Sequence, residues 1–95
     1  MKKNQINPAY IVGKMGKKIT IFDPEKSVLY TLNETAATIF RLLNQGFDGE
    51  DIVKKFSKKF KISEVTARKD LLLCLKDLRY KKILLYINFD IDNQN

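Results

Sequence analysis

The stretch Ser27–Phe40, SVLYTLNETAATIF, changes period halfway along. Val28, Tyr30 and Leu32 fall on one face at the two-residue repeat of a strand. Ala36, Ala37, Ile39, Phe40, Leu42 and Leu43 then recur at helical spacing. Asn33 stands at the junction as a good N-cap, with Glu34 in the first turn behind it. A strand therefore runs into a helix with no linker, and the position of that strand decides the fold.

Upstream, Tyr10-Ile11-Val12 opens a β-prone run broken at Gly13 and Gly16. Lys18-Ile19-Thr20-Ile21-Phe22 is a second run, and Asp23-Pro24-Glu25-Lys26 reads as the turn before Val28–Leu32. Three short runs joined by tight turns predict an antiparallel meander. Downstream, Gly46 ends the first helix. Asp48 caps a second, with Ile52, Val53, Phe56 and Phe60 on one side and Lys54, Lys58 and Lys61 on the other. Ser63 caps a third helix that runs to about Lys82. The expected fold is α+β and winged-helix-like: a three-stranded antiparallel sheet followed by three helices. Residues 1–8 are expected to be disordered, 9–87 to form one domain, and 88–95 to be a polar tail. Within the last stretch of the chain, Leu84–Ile91 alternates weakly, as an extra strand or an extended arm.

Composition bounds the function. A chain of 95 residues supports one modest core. It has no histidine and one cysteine, Cys74, so it lacks an intrachain disulfide, the usual zinc ligands and every Ser-His or Cys-His pair. Its carboxylates cluster only at Asp48, Glu50 and Asp51, where they favour a helix dipole. No catalytic residue, metal or cofactor is expected. The longest apolar run, Ile83–Ile87, is far short of the roughly 20 residues that span a bilayer. Asn4-Gln5-Ile6-Asn7-Pro8 follows the basic start where a signal peptide would need an apolar stretch, so the expected location is cytoplasmic. The net charge of +7 points to an anionic partner, either nucleic acid or an acidic peptide.

The third helix carries more apolar surface than so small a core can cover. Ala67, Leu71, Leu75 and Leu78 suffice for a core stripe. Leu72 lies about 100° from its centre and Leu73 about 200° away. The surplus is covered either by the chain's own C-terminal strand and a second copy, or by a partner.

Two resemblances compete. Ile62–Leu85 resembles the helix-turn-helix of DeoR-like repressors through Ser63, Thr66, Arg68, Lys69, Asp70 and Leu71, which implies duplex DNA as the partner. Asp23–Leu85, about two-thirds of the chain, resembles a PqqD-type domain, the RiPP recognition element. It does so through Leu32-Asn33, Ala36-Ala37, Ile39-Phe40, Ile52, Asp70, Leu75 and Leu78. It departs from that family at Lys81-Lys82, where a glycine is usual before the final apolar pair. Most of the strand signal precedes the first helix, whereas a DNA-binding winged helix places its wing after the recognition helix. The PqqD-type reading is therefore the expectation, and a DNA-binding regulator is the alternative.

That resemblance implies a non-catalytic binding protein. The leader peptide of a ribosomally made precursor adds as a strand beside Val28–Leu32, against the third helix, and is presented to a modifying enzyme such as a radical-SAM enzyme, a lasso-peptide peptidase or a cyclase. The site residues expected on the strand are Val28, Leu29, Tyr30 and Thr31. On the helix they are Arg68, Leu72, Lys76 and Arg79, a flank mixing apolar surface with charge that would steer an acidic leader. Val28, Tyr30 and Leu32 serve equally well as core residues.

Overall fold

The computed structural model describes residues 5–86. Its elements run β1 (Gln5–Ile6), β2 (Ile11–Met15), β3 (Lys18–Asp23), β4 (Val28–Leu32), α1 (Glu34–Asn44), α2 (Gly49–Phe60), α3 (Glu64–Tyr80) and β5 (Leu84–Tyr86). The expected meander forms, with β3 between β2 and β4 and both pairs antiparallel. β1 and β5 make a separate two-stranded ribbon.

The ribbon corrects the expectation of a frayed start. Of residues 1–8, Gln5–Ile6 is strand. Ile6 packs against the core, the Asn7 N–H donates to the Ile83 carbonyl at 2.8 Å, and the Asn7 side chain donates to the Lys82 carbonyl at 2.9 Å. Backbone groups satisfied in this way are removed from the unfolded terminus. Residues 1–4 and the tail 88–95 lie outside the described residues, as does most of the alternating stretch after Tyr86.

Three helices face the inner side of the meander. Ile19 and Ile21 of β3 and Leu32 of β4 are buried with Ala37, Ile39, Phe40 and Leu43 of α1, Ile52, Val53 and Phe56 of α2, and Ala67, Leu71, Leu75 and Leu78 of α3. Each helix starts as the sequence predicts. The side chains of Asn33, Asp48 and Ser63 accept from the N–H groups of Ala36, Asp51 and Thr66 at 2.8, 2.9 and 3.1 Å.

The helix ends share one device. Gly46, Lys61 and Lys82 take left-handed backbone with φ of 92°, 56° and 61°. The next residue, Phe47, Ile62 or Ile83, returns its N–H to the carbonyl five residues earlier, on Leu42, Ser57 or Leu78. This is the Schellman closure, in which an apolar residue folds back onto the helix it ends. It explains the departure at Lys81-Lys82: Lys82 adopts the conformation a glycine would take. α3 accordingly stops at Tyr80, two residues before the expected end.

Candidate functional site

The meander has two outer strands, and among the described residues nothing pairs with the free side of either. In an edge strand every second residue points its N–H and C=O away from the sheet, and those groups are open to another strand. The two edges differ in what lies beside them. Every side chain of β2 is exposed, and Gly13 at its centre offers none. β4 instead leads directly into the helical layer: Leu32 is buried, Tyr30 is half-buried against the core, and Leu29 on the other face is 59% exposed. β4 alone presents an open edge with a wall next to it.

That wall is one flank of α3. The Nζ of Lys81, the residue closing the helix, lies 5.5 Å from the centroid of the Tyr30 ring. The same ammonium is 2.8 Å from the Asp77 carboxylate one turn earlier. At about 100° per residue Asp70, Cys74, Asp77 and Lys81 share this side of the helix, with Leu73 beyond them towards solvent. α3 packs closely along α2 and β5 and makes little backbone approach to β4, so Lys81 over Tyr30 is where this flank of the helix comes to the strand. Desolvation, with Asp77 adding to it, pushes the Cys74 thiol up to about 12. Cys74 is therefore a neutral, half-buried thiol rather than a nucleophile.

A phenol joins the end of α3 to the turn before β4. Tyr10 donates to the Asp23 carboxylate at 3.1 Å and to the Lys81 carbonyl at 3.0 Å. Asp23 is only 2% exposed, and its other oxygen accepts from the N–H groups of Glu25 and Lys26 in the turn before β4. Desolvation first, then the hydrogen bond to Asp23, raise the Tyr10 phenol above its usual value.

The strand residues expected to form the site, Val28, Leu29, Tyr30 and Thr31, are all on the open edge. Val28 and Tyr30 share the inner face with Leu32, and Leu29 and Thr31 the outer one. The expected helix residues are elsewhere. Arg68 makes a bidentate pair with Glu50 at the start of α2, at 2.9 and 2.7 Å. Leu72, Lys76 and Arg79 lie on that same side of α3 by helical geometry. Helical geometry thus sets these four on the α2 side of α3, largely opposite the Asp77 and Lys81 flank. The pair also holds the Glu50 carboxyl below its usual range and lifts the Arg68 guanidinium, each chiefly through their hydrogen bonds. Cys74, Asp77, Lys81 and Tyr10 were not among the expected residues. A helical wheel sets two equivalent flanks beside the core stripe, and only the tertiary fold tells which one borders the strand.

Among the described residues no three His, Cys, Asp or Glu side chains stand together as metal ligands, and no helix is long and apolar enough to cross a membrane. A shallow depression on the outer side of α2 mixes Lys54 and Lys58 with Asp51 and Glu64 and has the character of a solvated surface.

A three-stranded meander that runs from its β4 edge straight into a three-helix layer defines an α+β domain of winged-helix-like type. Residues 19–84 match the family described as coenzyme PQQ synthesis protein D (PqqD), and the chain belongs to that family. Two solved structures share the fold. TbiB1 in complex with the TbiA(beta) leader peptide superposes with a TM-score of 0.79 at 21% identity, over 84% of this chain and 93% of that one. Lasso peptide synthetase B1 complexed with the leader peptide superposes with a TM-score of 0.82 at 19% identity, over 90% of this chain and the whole of the other. No curated protein matches the sequence.

Proposed function

We propose that the protein is a non-catalytic carrier that binds the leader segment of a ribosomally made precursor peptide as an added strand on β4 and presents it to a separate modifying enzyme. The observation that carries this reading is the unpaired β4 edge with the Lys81 end of α3 reaching Tyr30 beside it. Membership of the PqqD family supports it, and so does the bound leader peptide in both structural neighbours.

The energetics require both walls. About four backbone hydrogen bonds, at about 0.5–1.5 kcal/mol each, give only about 2–6 kcal/mol. Ordering and association cost about 4–15 kcal/mol. Micromolar binding, about −8 kcal/mol, therefore needs apolar anchors worth about 1.5–3 kcal/mol each. Val28 and Tyr30 on the strand, with Leu73 and Cys74 on the helix, supply surface for them. Leu73 is 61% exposed, which an anchor would change. The acids Asp70 and Asp77 share this wall, so the leader need not be acidic, contrary to the charge-steering expectation.

On this reading the carrier unit includes β1, since β1 pairs with β5 and Asn7 just after it is bound to the Lys82 and Ile83 carbonyls. A carrier of this kind works where precursors are made, in the cytoplasm, beside a radical-SAM enzyme, a peptidase or a cyclase. DNA binding draws less support, since Arg68 is engaged by Glu50 and the outer side of α3 exposes Val65, Leu73 and Tyr80.

The test titrates the labelled protein with synthetic N-terminal segments of the short peptides encoded by reading frames neighbouring its own and, separately, with random duplex DNA. Micromolar or tighter leader binding, weakly dependent on salt, with exchange protection of alternate amides in Val28–Leu32, is expected. Duplex binding that falls steeply with salt, with β4 amides unchanged, would overturn the reading.

A further inference from the structure

We propose that Tyr10 is a positioning residue that fixes the gap between the two walls of the cleft, an inference that rests on the leader-binding reading. The two walls come from distant parts of the sequence. The strand wall begins at the Asp23–Val28 turn, which the buried Asp23 carboxylate organises from within through the Glu25 and Lys26 N–H groups. The helix wall ends at Lys81, whose backbone N–H donates to the Asp77 carbonyl and whose ammonium pairs with the Asp77 carboxylate. The Tyr10 hydroxyl, shared between Asp23 and the Lys81 carbonyl, joins them directly.

The phenol is itself held in place. The Tyr10 N–H donates to the Asn7 carbonyl at 3.3 Å, and Asn7 is bound to the Lys82 and Ile83 carbonyls just past α3. The Ala9 N–H closes onto the Asn7 side chain at 3.0 Å. Asn7–Tyr10 is thus a short strap anchored on the helix end, with its one polar tip set into the hairpin. Elsewhere along the cleft α3 and β4 make little backbone approach, so the gap is set at this end, like a hinge pin. A strand added to β4 must meet the Cys74–Asp77 flank at a fixed distance, and an extra ångström of play would lose its side-chain contacts.

Tyr10→Phe keeps the ring and removes both hydrogen bonds. In the free protein, amide exchange at Val28–Tyr30 and at Lys81–Ile83 is expected to rise about tenfold. Affinity for the leader used above is expected to fall about five- to tenfold, mostly through faster dissociation. Asn7→Ala, which loosens the strap but leaves the phenol, shifts both readouts the same way and by less. Ile52→Val, in the core of α2 and matched in thermal stability, leaves both within twofold. Unchanged exchange and affinity in Tyr10→Phe would overturn the proposal, as would an equal affinity loss in Ile52→Val. Faster exchange at both segments in a protein whose wild type binds no leader would sink the leader reading and leave the strap standing.

Discussion

The ammonium of Lys81 lies 5.5 Å from the centre of the Tyr30 ring, so the end of α3 and the middle of β4 meet at one point. Lys81 is held there by Asp77, and Tyr30 by the core against which its ring is half-buried. The buried stripe Ala67, Leu71, Leu75 and Leu78 sets the rotation of α3 against the core, and the Lys81 contact marks which of its two flanks comes to β4, on the proposed reading the one the leader would meet.

The first prediction separates those flanks. Tyr30→Ala and Leu73→Asp should each weaken leader binding about 10- to 100-fold, the loss expected when an anchor worth about 1.5–3 kcal/mol is removed. Leu72→Asp, one residue along α3 on the Arg68 side, should leave affinity within about twofold. Calorimetric titration of the three variants decides it, and a large loss in Leu72→Asp alone would move the cleft to the α2 side.

The Arg68–Glu50 pair belongs to stability, not binding. Its hydrogen bonds lower the Glu50 carboxyl, so the contribution is present above the usual carboxylate range and is lost as the pH falls through the lowered value. More than half of the Glu50 side chain is exposed, and solvent screening keeps the effect below about 1 kcal/mol. Glu50→Gln should flatten the acid limb of the stability curve slightly, shrink further in high salt, and leave leader affinity unchanged.

Cys74 offers a reporter inside the cleft. With its thiol pushed up to about 12 from 9.0, the thiolate at pH 8 is scarcer by a factor on the order of 10³ than in an exposed cysteine. Alkylation of the native protein at pH 8 should be slow by a comparable factor and become ordinary in denaturant. Because the folded state disfavours the thiolate, this group leaves stability intact below about pH 9 and erodes it as the pH rises from there towards 12. Leader binding should slow alkylation further; acceleration would place Cys74 outside the covered surface.

Much of this architecture was legible in local signals. The period change at Asn33, the caps Asn33, Asp48 and Ser63, and the turn at Asp23 each act within a few residues, and each formed as read. Two features depended on distant partners and were not legible. β1 exists because Asn7 meets Lys82 and Ile83 at the other end of the chain, and two residues of strand carry no periodicity. The α3 flanks are symmetrical on a wheel, and neither the Glu50 partner of Arg68 nor the approach of Lys81 to Tyr30 is visible in the sequence. The strand half of the candidate site needed no such information, since an edge is already implied when a meander ends at a helix.

The departure from the family at Lys82 gives the last prediction. In the Schellman closure of α3, Ile83 must fold back so that its N–H reaches the Leu78 carbonyl, and both side chains are buried. The residue between helix and return has φ of 61°, where a Cβ crowds the carbonyl oxygen beside it. Lys82 pays about 1 kcal/mol for that conformation and gains only a solvated ammonium. Lys82→Gly should therefore stabilise the domain by about 1 kcal/mol, less the greater entropy of glycine in the unfolded chain, which offsets part of the gain. Urea denaturation should show a higher midpoint with an unchanged slope, and melting should rise by a few degrees, since about 1 kcal/mol moves a domain of this size about 4–8 °C. The Lys82 carbonyl accepts from Asn7 and survives the change, so the strap and the leader affinity should remain. A loss of stability in Lys82→Gly would mean that the ammonium of Lys82 makes an interaction that outweighs its backbone strain.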